Sequence, residues 1–276
     1  MKSDTKEERG SENRPDVSRD LFDVVNNRRS IRHFTEKPVS DSMLDKILKA
    51  GIRAPYSAQL YTIVYTRDPE KIKKLRKINV WPSTKLLMIF FVDFRKLGKI
   101  ILQKGYKYDW DDGSLLLTGI VDVCLVLQNV ILAADALGLG SVICGQAPHY
   151  ADLVSEVCKV PPRVFPVVGL SLGYPDKSVE TDIRPRFPLR CSVFEDFYHD
   201  LSEKSIQECM RAMDEGYLTQ GYYIRIRPKI PLKEGKDQID YDRYSWSEHI
   251  CRKFTQGRLT KETLLERLKK HGFDVV

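Results

Sequence analysis

The sequence predicts an α+β layered domain followed by a long helical tail. Three observations lead there. Four short β-branched or apolar runs read as strands, too few for a doubly wound parallel sheet. Segments with helical spacing of apolar residues lie between them, the longest over 118–137. Beyond Cys191 the pattern is mostly helical, near 201–217, 244–255 and 260–271.

In chain order, Leu21, Val24 and Val25 share a face of a first short helix, which ends in the basic turn Asn27-Arg-Arg-Ser-Ile-Arg32. A second helix follows, capped by Ser40 or Asp41 and running to the boundary at Ala54-Pro55. The run 61–66 is a strand, and Asp68-Pro69 opens a basic helix to about Ile78. The continuous apolar run 86–94 reads as a strand buried on both faces. A loop over 106–113 precedes the central helix, which Gly138-Leu-Gly140 ends. Residues 141–144 form a short strand, 150–159 a helix, and 164–172 another buried strand. A basic excursion over 221–243 separates the first two helices of the tail.

The 276 residues carry a net charge of +7, and 42% are hydrophobic, enough for a sizeable core. Residues 1–19 hold equal numbers of bases and acids and almost nothing apolar, so they read as a disordered tail, and the excess charge belongs to the folded part. No secretory signal is expected. The most apolar stretch, 115–139, is interrupted by Asp122, Gln128, Asn129 and Asp135, which favours a buried helix over a membrane span. Six scattered cysteines without a C-x-x-C pair argue against a zinc ribbon or disulfide framework and suit the cytoplasm.

The densest chemistry lies in Arg28, Arg29, Ser30 and Arg32, whose guanidiniums and hydroxyl suit bidentate bonds to a phosphate; an exposed basic turn is the alternative. Arg184-Pro-Arg186 is a second such pair, or a surface loop. The segment from Leu137 to Gln146 runs from helix to strand to a tight turn at Gly145 that permits close approach of a flat ligand, or simply connects. Cys144 reads as a buried cysteine rather than a nucleophile. No histidine pair has metal-ligand spacing, and Asp109-Trp-Asp-Asp112 reads as solvated surface rather than a metal loop.

Seven strings in order then carry a resemblance. They are Asn27-Arg-Arg-Ser-Ile-Arg-His-Phe-Thr-Glu-Lys-Pro-Val-Ser40, Arg53-Ala-Pro-Tyr-Ser57, and 115–145 with its Val-Asp122 and Gln-Asn129. Val168-Gly-Leu-Ser-Leu-Gly-Tyr-Pro175, Ile183-Arg-Pro-Arg-Phe-Pro188, Tyr217-Leu-Thr and Tyr244-Ser-Trp-Ser-Glu-His-Ile250 complete them. Together, over about 20–272, the chain resembles the nitroreductase family of FMN-dependent oxidoreductases, in particular its NADPH-linked nitroreductase and flavin reductase branch.

The resemblance implies a layered α+β fold, with a central mixed, mainly antiparallel sheet surrounded by helices. It makes 20–276 one domain, with a core at 20–195 and a helical C-terminal extension at 196–276. It also implies a homodimer with FMN at each subunit interface. Carried over by position, Arg28, Arg29, Ser30 and Arg32 contact the FMN phosphate, ribityl chain and pyrimidine edge, and Ser57, from the partner subunit, approaches the flavin along with Gln59. Cys144 and Gly145 present backbone to the flavin ring, while Arg184 and Arg186 close on the phosphate. No catalytic side chain and no metal are implied: hydride passes from NADPH or NADH through FMN N5 to nitroaromatics, quinones or free flavin in a ping-pong cycle. Gln220 stands where that branch uses an arginine. The excursion offers Arg225 and Arg227, with Lys229, Lys233 and Lys236, to the nicotinamide 2′-phosphate, or else forms a solvated loop. Two alternatives stay open: a flavoprotein with a specialised role, such as reduced-flavin supply or a biosynthetic step, and a basic nucleic-acid-binding protein. The resemblance favours small-molecule partners, with neither nucleic acid nor membrane.

Overall fold

Four strands form the centre of the computed structural model, in which residues 20–228, 230, 239–255 and 262–275 are described. The expected tail over 1–19 lies outside the described residues, as do Lys229, Lys233 and Lys236. In the order β1 (Tyr61–Thr66), β2 (Leu86–Asp93), β4 (Val164–Gly173), β3 (Gly140–Cys144), every neighbouring pair is antiparallel. The parallel element is a single bridge, Ser30 to Ser141, at the β3 edge.

Both faces of β2 are buried, which is why its sequence is apolar without alternation. On one face Leu86, Met88 and Phe90 pack against helices α2 (Asp41–Gly51) and α5 (Asp112–Ala136), through Leu44, Ile47, Val123, Val126 and Val130. On the other, Leu87, Ile89 and Phe91 meet Ile72 of α3 (Pro69–Lys74), Leu75 and Ile78 of the 3₁₀ turn that follows it, and Val154 of α6 (Ala151–Cys158). Each such side chain contributes roughly 1.5–3 kcal/mol by leaving water.

Several boundaries differ from the sequence reading. Ser40, not Asp41, caps α2, its hydroxyl accepting from the Met43 N–H at 3.3 Å, and the helix stops at Gly51, before Ala54-Pro55. Helix α4 (Phe94–Gln103) was not expected; Asp93 caps it by accepting from the Lys96 N–H at 3.0 Å. The central helix α5 starts at Asp112, six residues before the periodicity begins, because Asp111 caps it through the Gly113 and Ser114 N–H groups. Two of its acids are buried, each 1% exposed.

Asp122 accepts from the Ser57, Ala58 and Leu60 N–H groups at 2.8, 3.3 and 3.0 Å, and so fixes the loop entering β1. Asp112 was expected on a solvated loop. Instead it accepts two bonds from the Arg163 guanidinium at 2.9 Å, one from the Tyr108 hydroxyl at 2.6 Å and one from the Asp274 N–H at 2.7 Å. This carboxylate joins α5, β4 and the C-terminus after α10 (Leu264–Lys270).

The tail comprises α7 (Glu203–Thr219), a short α8 (Tyr222–Ile226) within the expected excursion, α9 (Trp246–Thr255) and α10.

Burial alone would raise the Asp112 carboxyl, but its bonds from Arg163, Tyr108 and Asp274 outweigh burial and hold it below the usual range. A lowered folded value means that its stabilisation is full above about pH 4, the unfolded value, and is lost as pH falls through the folded one. Asp112→Asn is expected to cost about 2–3 kcal/mol at neutral pH. Urea unfolding at a series of pH values checks this: the gap between wild type and variant should close in acid, and a gap of constant size contradicts it.

Candidate functional site

The site is built on a stitched backbone strip. The Ile31 N–H donates to Ser141 O at 2.9 Å, the Thr35 N–H to Tyr174 O at 2.9 Å, and the Asp176 N–H to His33 O at 3.0 Å. Residues 31–35 thus run along the ends of β3 and β4. Gly140 makes the approach possible, since a Cβ there would stand 2.6 Å from Ile31 Cγ1. The Ser83 hydroxyl ties in a second loop, donating to Arg32 O at 3.3 Å and accepting from the Phe34 N–H at 3.1 Å. Trp81 is thereby set beside Arg32, whose guanidinium lies 5.5 Å from the indole centroid.

Arg184 arrives from the chain leaving β4. Pro185 packs into the gap left by Gly216 of α7, where a Cβ would meet the proline ring at 2.7 Å. With its neighbour so seated, the Arg184 guanidinium stacks 3.8 Å over Tyr222 and lies 5.4 Å from Tyr217. It donates to the Gln220 side-chain oxygen at 3.0 Å, and Gln220 in turn donates to Ile183 O at 2.7 Å.

These modules meet in a cleft of about 410 Å³ bordered by Ser30, Arg32, His33, Trp81, Arg184, Tyr222 and Arg225, with residues 178–182 along one lip. Arg32 and Trp81 also border an adjoining hollow of about 470 Å³ with Arg76, Asn79 and Ile143. Burial lowers the basicity of Arg32, and the like charge of Arg184 adds to the effect. Two guanidiniums line one cleft, Arg184 with Asp182 at 3.9 Å and Arg32 with no carboxylate among the described residues, which favours an anionic ligand. Burial also pushes the Tyr217 phenol up, so it stays a neutral platform.

The donor set fits FMN: guanidiniums and the Ser30 hydroxyl suit a phosphate and a polar ring edge, and aromatic faces flank them. At the end of β3, nothing lies within 4 Å of where a Gly145 Cβ would stand, so that turn is open to a flat ring. Cys144 itself is buried, its thiol 3.4 Å from the Ser171 hydroxyl and pushed up by burial, which suits a structural role.

Other expected residues sit apart. Arg28 ends α1 (Leu21–Asn27) and Arg29 is exposed; neither borders the cleft. Arg186 turns back on its own backbone, donating to Arg184 O and Pro185 O at 2.9 Å. Ser57 and Gln59 are exposed just before β1, at the opposite edge of the sheet from β3, roughly 14 Å across three strand spacings. Arg225 borders the cleft and pairs with Asp182, whereas Arg227 faces Tyr241, 5.9 Å from its ring. Trp81, Asp182 and Tyr222 were missed by sequence reasoning; the only signal was Tyr217-Leu-Thr, which lies just before the break at Gly221 between α7 and α8, so that the Tyr217 and Tyr222 rings come within 5.1 Å.

The nitroreductase family model matches residues 25–174. An oxygen-insensitive NADPH nitroreductase of Salmonella typhimurium is 29% identical, over 91% of this chain and 97% of the relative. Among solved structures, NfrA2 of B. megaterium superposes with a TM-score of 0.78 at 27% identity, over 92% of this chain and 97% of that one. The NADPH:FMN oxidoreductase of Vibrio harveyi complexed with NAD+ gives 0.72 at 27%, over 91% and 97%.

A phosphate at Arg184 and a ring edge at Arg32 would be read separately. If so, FMN is expected to bind at least about tenfold more tightly than riboflavin, a gap that Arg184→Ala narrows and that Arg32→Ala, which weakens both flavins alike, leaves in place. Quenching of flavin fluorescence on titration with apoprotein measures it; an undiminished gap in Arg184→Ala contradicts the assignment.

Proposed function

The chain belongs to the nitroreductase family, and we propose that it is an FMN-dependent oxidoreductase that uses NADPH or NADH to reduce small acceptors such as nitroaromatics, quinones or free flavin. The observation that carries this reading is the cleft in which Arg32 and Arg184 converge beside Trp81 and Tyr222. Bound FMN would supply the two-electron chemistry, accepting hydride from the nicotinamide and returning it to the acceptor.

The chain's own residues bind and orient. Arg184, fixed by Tyr222 and Gln220, holds the phosphate, with Arg186, Arg28 and Arg29 as outer cations. Arg32 places a fixed positive charge at the polar edge of the ring, favouring its reduced, anionic form. The Cys144-Gly145 backbone supports the ring, and Arg225 meets the nicotinamide dinucleotide at the cleft's lip. In this reading donor and acceptor use the same cleft in turn, so the cycle is ping-pong.

A homodimer completes the site in this reading. Ser57 and Gln59 lie at the far sheet edge, where they can serve a partner's cleft and not their own. Leu117, Val121 and Leu125, at four-residue spacing on α5, are 69%, 50% and 37% exposed, an apolar stripe suited to a second copy. Six free cysteines favour a reducing compartment, the cytoplasm.

The purified protein is expected to be yellow, to bleach anaerobically when NADPH or NADH is added, and to regain its colour with a quinone. Initial rates over both substrates should give parallel double-reciprocal lines. A colourless protein that takes up no FMN overturns the reading, and intersecting lines overturn the ping-pong cycle.

A further inference from the structure

The chain that leaves β4 brings two acids to the cleft. Glu180 and Asp182 border it together with Arg32, Arg184 and Arg225. Asp182 is well placed to matter: its side chain is only 18% exposed, it forms an ion pair with Arg225, and it lies 3.9 Å from Arg184. Gln220, which donates to Ile183 O and accepts from Arg184, adds no cation where the chain turns into α8.

Charge counting across the cleft is informative. Among the described residues that border the cleft, two carboxylates accompany three guanidiniums, and a flavin phosphate of about −1.5 to −2 charge exceeds the single positive charge left over. A second phosphate on an incoming nucleotide would then meet Glu180 and Asp182, with Arg225 already engaged. An unphosphorylated ribose meets the opposite situation, because its hydroxyls donate well to a carboxylate. Carboxylates select a free 2′-hydroxyl in dinucleotide sites for that reason, and arginines select the 2′-phosphate.

Resting on the FMN oxidoreductase reading, we propose that Asp182 determines which nicotinamide this chain uses. Its carboxylate occupies Arg225, accepts from the ribose of NADH and repels the 2′-phosphate of NADPH, so NADH is the preferred donor. Asp182 here is a specificity residue that touches the co-substrate away from the reacting atoms.

The test compares kcat/KM for NADH and NADPH in the FMN-loaded protein at low ionic strength. Wild type is expected to favour NADH by about tenfold or more, the size expected of one charge-assisted contact. Asp182→Asn should move the ratio toward NADPH by about tenfold or more, and Glu180→Gln in the same direction by less. In Asp182→Asn with Arg225→Ala the gain should vanish, since the freed guanidinium is what a 2′-phosphate would take. Added salt should narrow the wild-type preference by screening the repulsion.

A wild-type preference for NADPH, or a ratio unmoved in both Asp182→Asn and Glu180→Gln, overturns the proposal while leaving the oxidoreductase reading intact. The flavin absorbance of each preparation separates the two failures. A chain that holds FMN and turns over with an unmoved ratio refutes the role of Asp182 alone. One that binds no FMN refutes the oxidoreductase reading and this proposal with it.

Discussion

The pairing of residues 31–35 with the ends of β3 and β4 is the constraint on which the rest of the site depends. Three backbone hydrogen bonds of 2.9–3.0 Å set it, and Gly140 provides the space. Without it Arg32 would belong to a mobile basic turn, and a guanidinium free to move loses in ordering entropy much of what it gains from an anion. With it, Arg32 is held against Trp81 and faces the chain that leaves β4 carrying Arg184. Two segments about 150 positions apart in sequence meet because both are tied to the same pair of strands.

The same logic explains the buried acids of α5. A helix this apolar would suit many environments, and its length and composition are those of a membrane span. Asp122 and Asp112 give it one register: Asp122 collects three backbone N–H groups of the loop before β1, and Asp112 the Arg163 guanidinium, the Tyr108 hydroxyl and the Asp274 N–H, so a slipped or rotated helix would leave a charge buried and unpaired. Asp122 also shapes the loop that presents Ser57 and Gln59. Helix placement and site geometry are therefore set by shared residues.

How much of this the sequence disclosed follows from the range of each interaction. The strands and the central helix were legible because burial imposes a local period, as in the unbroken apolar run of β2. Helix α4 was missed because only Phe94 is fully buried and its capping acid, Asp93, sits at the end of an apolar strand run. The first turn of α5 was hidden because Asp112 is buried through Arg163, Tyr108 and Asp274, partners that its neighbours do not predict. The two basic clusters could be named from composition, but composition could not separate Arg32 and Arg184, which converge, from Arg29 and Arg186, which do not. That difference lies in the bond Ser83 donates to Arg32 O and in those that Gln220 and Ser141 accept from Arg184 and the Ile31 N–H, three residues with no chemical signature of their own.

The net basic charge was the first feature to suggest anionic partners, yet near the cleft it is compensated rather than accumulated. Arg225 is matched by Asp182, and Glu180 adds a further negative charge at the lip. Arg32 has no carboxylate partner among the described residues and lies against Trp81, while Arg184 is held over Tyr222 with Asp182 3.9 Å away and as little exposed as itself. In the proposed reading a phosphate is therefore graded by which guanidinium it meets, since Asp182 pairs with Arg225 and stands farther from Arg184. Affinity for phosphorylated molecules and discrimination among them would then arise from one cleft because its carboxylates are matched unequally to its guanidiniums.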